Sequence, residues 1–390
     1  MTRGHMTVTR KGRLVLTSLV LTLGAATGCA DNTPAPIPRT TQPTDATSEP
    51  TPSEPASEAQ GGDGGPEAVG TLVDRLEVPW GVDFLPDGAA VVTERMTGRV
   101  LQVTPDGTLS RLGAITATVP QGEAGLLGVA VSPDFASDRT LFFYVTSSTD
   151  NRVVKAELGG SEQSGFELGE PTVVLDGIPA GFIHDGGRIA FGPDGYLYVT
   201  TGETGNPELA QDPDSLAGKI LRITADGAPA PGNPEPDSPV WSLGHRNVQG
   251  LAWDDAGRLW ASEFGDSTWD ELNLVEKGGN YGWPEVEGTG GGPEYVDPAL
   301  VWPVEEASPS GLAYADGHLW MAGLRGQRLW RIRVSDGGRA SRPTAFFTED
   351  YGRLRTVVAS PDGDLWLTTS NQDGRGEPTT ADDRIIVIRP

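Results

Sequence analysis

A short unit recurs six times along this chain: an apolar strand, a turn rich in Asp and Gly, then an alternating strand ending in Thr, Ser or Gly. It reads GVDFLPDGAAVVTE from Gly81, GVAVSPDFASDRTLFFYVTS from Gly128 and GRIAFGPDGYLYVTTGE from Gly187. It continues as GLAWDDAGRLWASEFG from Gly250, GLAYADGHLWMAGLR from Gly311 and VVASPDGDLWLTTSN from Val357. Turn glycines 88, 195, 257, 317 and 363, with a longer turn near Asp134, give units of roughly 45 to 60 residues. Such a period is that of a repeated β-unit able to bury its faces only against its neighbours, and it matches one four-stranded propeller blade.

Each hairpin precedes a third apolar strand, beginning at Val100, Arg152, Ile220, Leu272, Leu329 and Ile385. The last of these has no fourth strand after it, whereas Thr71–Leu76 is a spare strand ahead of the first hairpin. The expected fold is therefore all-β, a six-bladed β-propeller whose N-terminal strand completes the last blade and hides the sheet edges. A sandwich or β-helix is the competing architecture. With 53 Gly and 32 Pro among 390 residues, a helical bundle is excluded in practice.

The N-terminus reads as an address. An apolar run, Leu14–Leu23, follows Arg3, Arg10, Lys11 and Arg13 and leads to Ala26-Thr27-Gly28-Cys29. The run is too short for a comfortable membrane span and fits a secretory signal, residues 1–28. The single cysteine lies where a bacterial lipoprotein would carry its lipid, which would tether the protein to the outer face of the cytoplasmic membrane; an incidental Cys beside an ordinary cleavage site is the alternative. Residues 29–69 are rich in Pro, Thr, Ser and Glu and hold no aromatic, so they read as a disordered tether. The folded domain is expected over residues 70–390. One cysteine excludes an intramolecular disulfide and a Cys-rich metal site, and a net charge of −25 makes a nucleic-acid binder improbable.

Repeat register also locates a site. His184 and Arg246 each fall eleven residues before a turn glycine, on loops that enter an inner strand. Glu203, Gly265, Arg325 and Asn371 each fall eight residues after one, on loops that leave a second strand. In a propeller both loop types open on the same end of the channel. A His facing that channel beside Glu203 can be oriented as a general base, or the pair can be a structural hydrogen bond. Arg246, Arg325, Arg353 and Arg355 at one mouth suggest an anionic ligand bearing carboxylates. Glu263, Asp266, Asp270 and Glu271 surround Gly265 and would repel one another unless solvated or holding a hard cation such as calcium. His245 reads as a packing residue and His318 as a solvated turn residue. No nucleophile-elbow, phosphate-loop or zinc-protease motif occurs.

Several segments together resemble the soluble pyrroloquinoline quinone (PQQ)-dependent glucose dehydrogenases, and more closely the aldose sugar dehydrogenases, of the glucose/sorbosone dehydrogenase family. They are GLLGVAVSPDF from Gly125, HDGGRIAFGPDGYLYVTTGE from His184, LGHRNVQGLAW from Leu243, SEFGDSTWDELNLVEKGGNYGWP from Ser262, GLRGQRLWRI from Gly323 and RLRTVVASPDG from Arg353. The resemblance covers nearly all of residues 70–390. It implies His184 as the base that takes the anomeric hydroxyl proton, Arg246 as the donor that polarises the quinone carbonyl, and Glu203 as the acidic partner of the histidine. It further implies Glu123, Asn247, Arg325, Arg353, Arg355 and Asn371 around the cofactor. The carbonyls of Gly265 and Asp266 would ligate a calcium beside PQQ, and Glu271 with the Tyr281 carbonyl a second calcium. Three positions depart from the family pattern: Glu123 replaces a common Gln, Asp266 a Pro, and Arg325 the Lys of the glucose enzymes. Glu123 would turn a negative charge towards an anionic quinone unless a guanidinium or metal neutralises it.

The expected activity is oxidation of an aldose at its anomeric carbon to a lactone, with electrons passed through PQQ to an external acceptor. A calcium-dependent lactonase and a non-catalytic binding propeller are the alternatives.

Overall fold

A computed structural model describes residues 64–161 and 163–390 and the backbone of 57–58. The signal segment, Cys29 and nearly all of the expected tether lie outside the described residues. Among these, no helix is long and apolar enough to cross a membrane.

Six separate sheets form the six blades. The inner strands are Pro79–Phe84, Leu126–Val131, Ile189–Phe191, Val248–Trp253, Pro309–Ala315 and Leu354–Ala359. Second and third strands follow by antiparallel pairing in every blade. The longer turn near Asp134 holds one helical turn, Phe135–Asp138. In the second blade the third strand, Asn151–Ser161, is long enough to carry two successive outer strands, Thr172–Ile178 and Gly165–Leu168.

The last blade is closed as expected, by an N-terminal strand antiparallel to Ile385–Arg389. That strand spans Glu67–Val73 rather than Thr71–Leu76, so it begins inside the segment read as tether. Its early end has a local cause: Arg75 and Val78 take left-handed backbone conformations, at φ 59° and 52°, and the chain turns there toward the first inner strand. Leu76, only 1% exposed, becomes a core residue with Val73, Val92 and Trp366 between the sixth and first blades.

The hydrophobic core is not one globule but six slabs, each shared by two adjacent blades. Period-2 alternation within each strand supplies both faces of its sheet, and the ring covers both faces of the second strand of every blade while the outer strands stay partly exposed. Trp80, Trp260, Trp320 and Trp330 are fully buried in or beside these slabs. Truncating any one of them to Ala costs about 3–5 kcal/mol.

Across the channel, Arg188 donates from Nε to the Gln249 carbonyl (2.9 Å) and from Nη2 to Thr356 Oγ1 (3.0 Å). Its guanidinium lies 4.3 Å from the Trp80 ring centroid, and that of Arg355 lies 6.0 Å from it. This septum separates a cavity at the entry ends of the inner strands from another at their exit ends.

Candidate active site

The entry-end cavity has a volume of about 320 Å³ and is lined by Arg95, Glu123, His184, Arg246, Asn247, Gln249, Phe264, Ser308, Leu324, Arg325, Arg353, Arg355 and Arg375. Loops of different blades thus bring the His184 imidazole and six guanidiniums to one chamber. Its size falls within the range of small-molecule sites.

His184 sits at a φ of 56°, a backbone state uncommon for a residue with a Cβ. Three contacts hold it there. Its N–H donates to Glu123 Oε2 (3.0 Å), its carbonyl accepts from the Thr204 N–H (3.2 Å), and the neighbouring Gly202 leaves room for that carbonyl. A Cβ at position 202 would lie 1.9 Å from the His184 oxygen, so only glycine fits. Nδ1 of His184 is hydrogen-bonded to Glu203 Oε1, which leaves Nε2 for the chamber. Glu203 is 1% exposed and does not line the cavity; its other oxygen, Oε2, has no partner among the described residues. It is a positioning residue behind the imidazole. Asp185, next along, is pushed up to about 6 by burial, despite the Gly181 N–H and the Asn151 amide on its Oδ1.

Arg246 lies 5.3 Å from the Trp283 ring centroid, its backbone N–H bonds Glu263 Oε1, and its Nη2 meets Asp266 Oδ1 at 3.1 Å. Its Nε is buried with no partner among the described residues, a donor held ready for a ligand acceptor. Asn247 uses Oδ1 to accept the Gly186 N–H (3.0 Å), tying this loop to that of His184. Arg353 and Arg355 both reach Asp373 Oδ2, at 3.0 and 3.3 Å, and Arg355 also bonds Ser370 Oγ and Gln249 Oε1. Arg325 is exposed at the rim.

Glu123 is neutralised within the protein. Its Oε1 pairs with Arg375 Nη1 at 2.8 Å. Burial alone would raise its pKa, but the His184 N–H and Arg375 outweigh burial and hold the carboxyl below its ordinary range.

The acidic cluster around Gly265 is also largely satisfied by the chain. Glu263 bonds His245 Nδ1 (2.8 Å), and His245 in turn bonds Ser242 and stacks on Tyr281, which makes it the packing residue expected. Asp270 accepts the N–H groups of Gly265 and Ser308, and burial raises it to about 7. Glu287, which the repeat register does not single out, accepts from the four consecutive N–H groups of Asp266, Ser267, Thr268 and Trp269 and so shapes the 265–269 loop. Glu271 is the exception. It accepts from Gly288 and Asn273, but burial, and then the Glu263 carboxylate, push it well up.

The family pattern of glucose/sorbosone dehydrogenases matches residues 76–385. The chain belongs to that family. The PQQ-bound aldose sugar dehydrogenase of Streptomyces coelicolor is 53% identical, over 83% of this chain and 98% of that one, with a TM-score of 0.81. Aldose sugar dehydrogenase YliI of Escherichia coli is 29% identical over 78% of this chain and 91% of its own length. Quinoprotein glucose dehydrogenase B of Acinetobacter calcoaceticus is 33% identical over 56% of this chain and 52% of its own.

For a glucose/sorbosone dehydrogenase family member, one site expectation needs correcting. Asn371 lies on the right loop but behind the wall: its Oδ1 accepts the Arg353 N–H (2.8 Å) and its Nδ2 donates to the Tyr351 carbonyl (2.9 Å). It holds Arg353 rather than lining the chamber. Conversely, Arg95, Arg375 and Gln249 line the chamber without being singled out by the repeat register, and Asp373 pairs with Arg353 and Arg355 without lining it. Arg95 falls seven residues after turn glycine 88, one short of the spacing found in the other blades.

Proposed function

We propose that this family member is a PQQ- and calcium-dependent aldose dehydrogenase. The observation that carries the reading is the His184 imidazole, held through Nδ1 by Glu203, with Nε2 facing a chamber of six guanidiniums. An anionic tricarboxylate such as PQQ complements that chamber. Arg325, Arg353 and Arg355, with Arg95, would hold its carboxylates, while the unpartnered Arg246 Nε fits a carbonyl acceptor. PQQ, when bound, supplies the two-electron acceptor for the hydride that leaves the anomeric carbon. His184 Nε2 takes the anomeric hydroxyl proton as the C–H bond breaks and a lactone forms. Glu203 would stabilise the resulting imidazolium, and Arg246 would donate to the oxygen on which negative charge develops.

Calcium is supported by oxygen donors rather than by a carboxylate cage; among the described residues no three His, Cys, Asp or Glu side chains form a metal-holding group. The carbonyls of Gly265, Asp266 and Tyr281 accept no hydrogen bond among the described residues. Gly265, Glu271 and Tyr281 also line a void of about 10 Å³ that includes Glu263 and Glu287. A void of that size holds one small particle, and hard cations favour mixed carbonyl and carboxylate sets. Saturating calcium at about 100 times its Kd is expected to add about 2.7 kcal/mol to stability. In thermal melts the gain would disappear with chelator and shrink in Glu271→Gln; an unchanged midpoint with and without calcium would sink the metal assignment.

The deciding experiment is reconstitution with PQQ and calcium, followed by aldose-dependent reduction of a dye. Failure of dye reduction, or lactone hydrolysis without PQQ, would overturn the proposal. Glu123→Gln gives a subtler check. The amide oxygen can still accept the His184 N–H, and the lost pair involves Arg375, which is 54% exposed, so stability should move by no more than ~1 kcal/mol. Removing the negative charge should tighten PQQ binding by up to about tenfold in an absorbance titration; weaker binding would show that Glu123 recruits the cofactor through its charge.

The external electron acceptor and a lipid anchor on Cys29 complete the proposal. The anchor is supported by the basic and apolar run ahead of Cys29. Mass spectrometry of the membrane fraction tests it, and an unmodified Cys29 there would refute it.

A further inference from the structure

The channel has a second cavity, at the exit ends of the inner strands, with a volume of about 550 Å³. Six apolar side chains, Val82, Val129, Phe191, Leu251, Leu312 and Val357, line it from six different blades, beside the polar Asp83, Ser132 and Arg188. Arg188 lies at its inner end and is only 8% exposed. Two of its nitrogens are taken by Gln249 and Thr356, while Nη1 donates to no described residue. Arg355, beyond Trp80, has Asp373 as counter-charge. Arg188 has no carboxylate partner among the described residues; burial and the nearby Arg355 both pull it down, to about 9. The one carboxylate lining this cavity among the described residues is Asp83, whose oxygens accept the Phe84 and Val131 N–H groups at 2.8 and 2.7 Å.

A guanidinium buried at the inner end of such a pit, with one free donor edge and no counter-ion, is unfavourable by itself, and an arriving anion relieves it. A ligand wholly polar would leave the aliphatic wall unused, and one wholly apolar would leave the cation unpaired. We propose that the exit-end cavity binds a small amphiphilic carboxylate, its headgroup on Arg188 and its apolar body along the six-blade wall. The volume lies within the range of small-molecule sites. This site is separated by the septum from the His184 chamber, so the proposal stands independently of the reading given to that chamber.

Isothermal titration with sodium octanoate, and with 1-octanol as its uncharged counterpart, tests it on the full protein. One octanoate per chain is expected, bound at least tenfold more tightly than octanol. Ala190→Phe fills the cavity from the same edge of the inner strand as Arg188 and should abolish binding. Arg325→Ala at the other mouth should leave it within about twofold. Arg188→Gln should erase the preference for octanoate over octanol; if that variant does not fold, as judged by circular dichroism, Ala190→Phe decides, because it leaves every charge in place. No octanoate binding, equal affinity for octanol, or loss of binding in Arg325→Ala but not in Ala190→Phe would each overturn the proposal.

Discussion

Replacing His184 with Gln is expected to lower kcat for aldose-dependent dye reduction by about 10²–10⁴-fold, the usual contribution of a positioned general base. The amide keeps the size and polarity of the side chain near Nδ1 but cannot accept a proton in the operating pH range. PQQ affinity should stay within about tenfold, or 1.4 kcal/mol, because the guanidiniums that would hold its carboxylates are untouched. Glu203→Gln should give a smaller loss in kcat and a displaced pH profile, since Glu203 touches only the far nitrogen of the imidazole. A His184→Gln enzyme that turns over normally would remove the histidine from the mechanism. One that loses PQQ binding instead would make it a cofactor ligand.

The second large effect is expected from Asp373→Asn. Asp373 Oδ2 meets Arg353 and Arg355, whose side chains are 10% and 5% exposed, and Asp373 itself is equally buried. Deleting one partner of a buried pair leaves an uncompensated charge, at a cost of about 3–5 kcal/mol; here two cations lose the same anion. A fall of roughly 5–7 °C in the melting midpoint is expected for a domain of this size. Burial would raise Asp373, but Arg355 and Arg353 outweigh it and hold the carboxyl below its ordinary value. Its stabilisation is therefore present above the unfolded carboxylate range and lost as pH falls through the depressed folded value. The variant should accordingly show a shallower acid limb than the parent protein in melts across pH. Added PQQ should restore part of the lost stability, its carboxylates replacing the missing anion. A midpoint unchanged by the substitution would mean that solvent already screens these guanidiniums.

The ring was legible because the hairpin is specified locally: Asp-Gly turns and alternating apolar residues fix two strands wherever they occur, and their spacing counts the blades. Counting from a turn glycine also identified the loops of His184, Arg246 and Arg325. It did not give side-chain direction, so Asn371 was placed on the correct loop and on the wrong side of it. Nor does a fixed offset survive loops of different length, which is why Arg95 and Arg375 escaped notice. The acidic cluster shows a third limit. Acidic composition cannot distinguish a carboxylate that four backbone N–H groups satisfy, as Glu287 is, from one that burial and a neighbouring carboxylate push well up, as Glu271 is. The septum of Arg188 and Trp80 is not legible in sequence, because these residues come from the first and third blades and meet only when the ring is assembled.

Glu67 pairs in register with Arg389, one residue before the last. Start and finish of the toroid are therefore neighbours, and a short flexible peptide could splice them into a continuous loop. New termini could then be opened at the turn holding Gly317, which has open space around it. The circularly permuted protein would carry its fusion point at the opposite end of the channel from His184, free for immobilisation on an electrode or for attachment of a reporter.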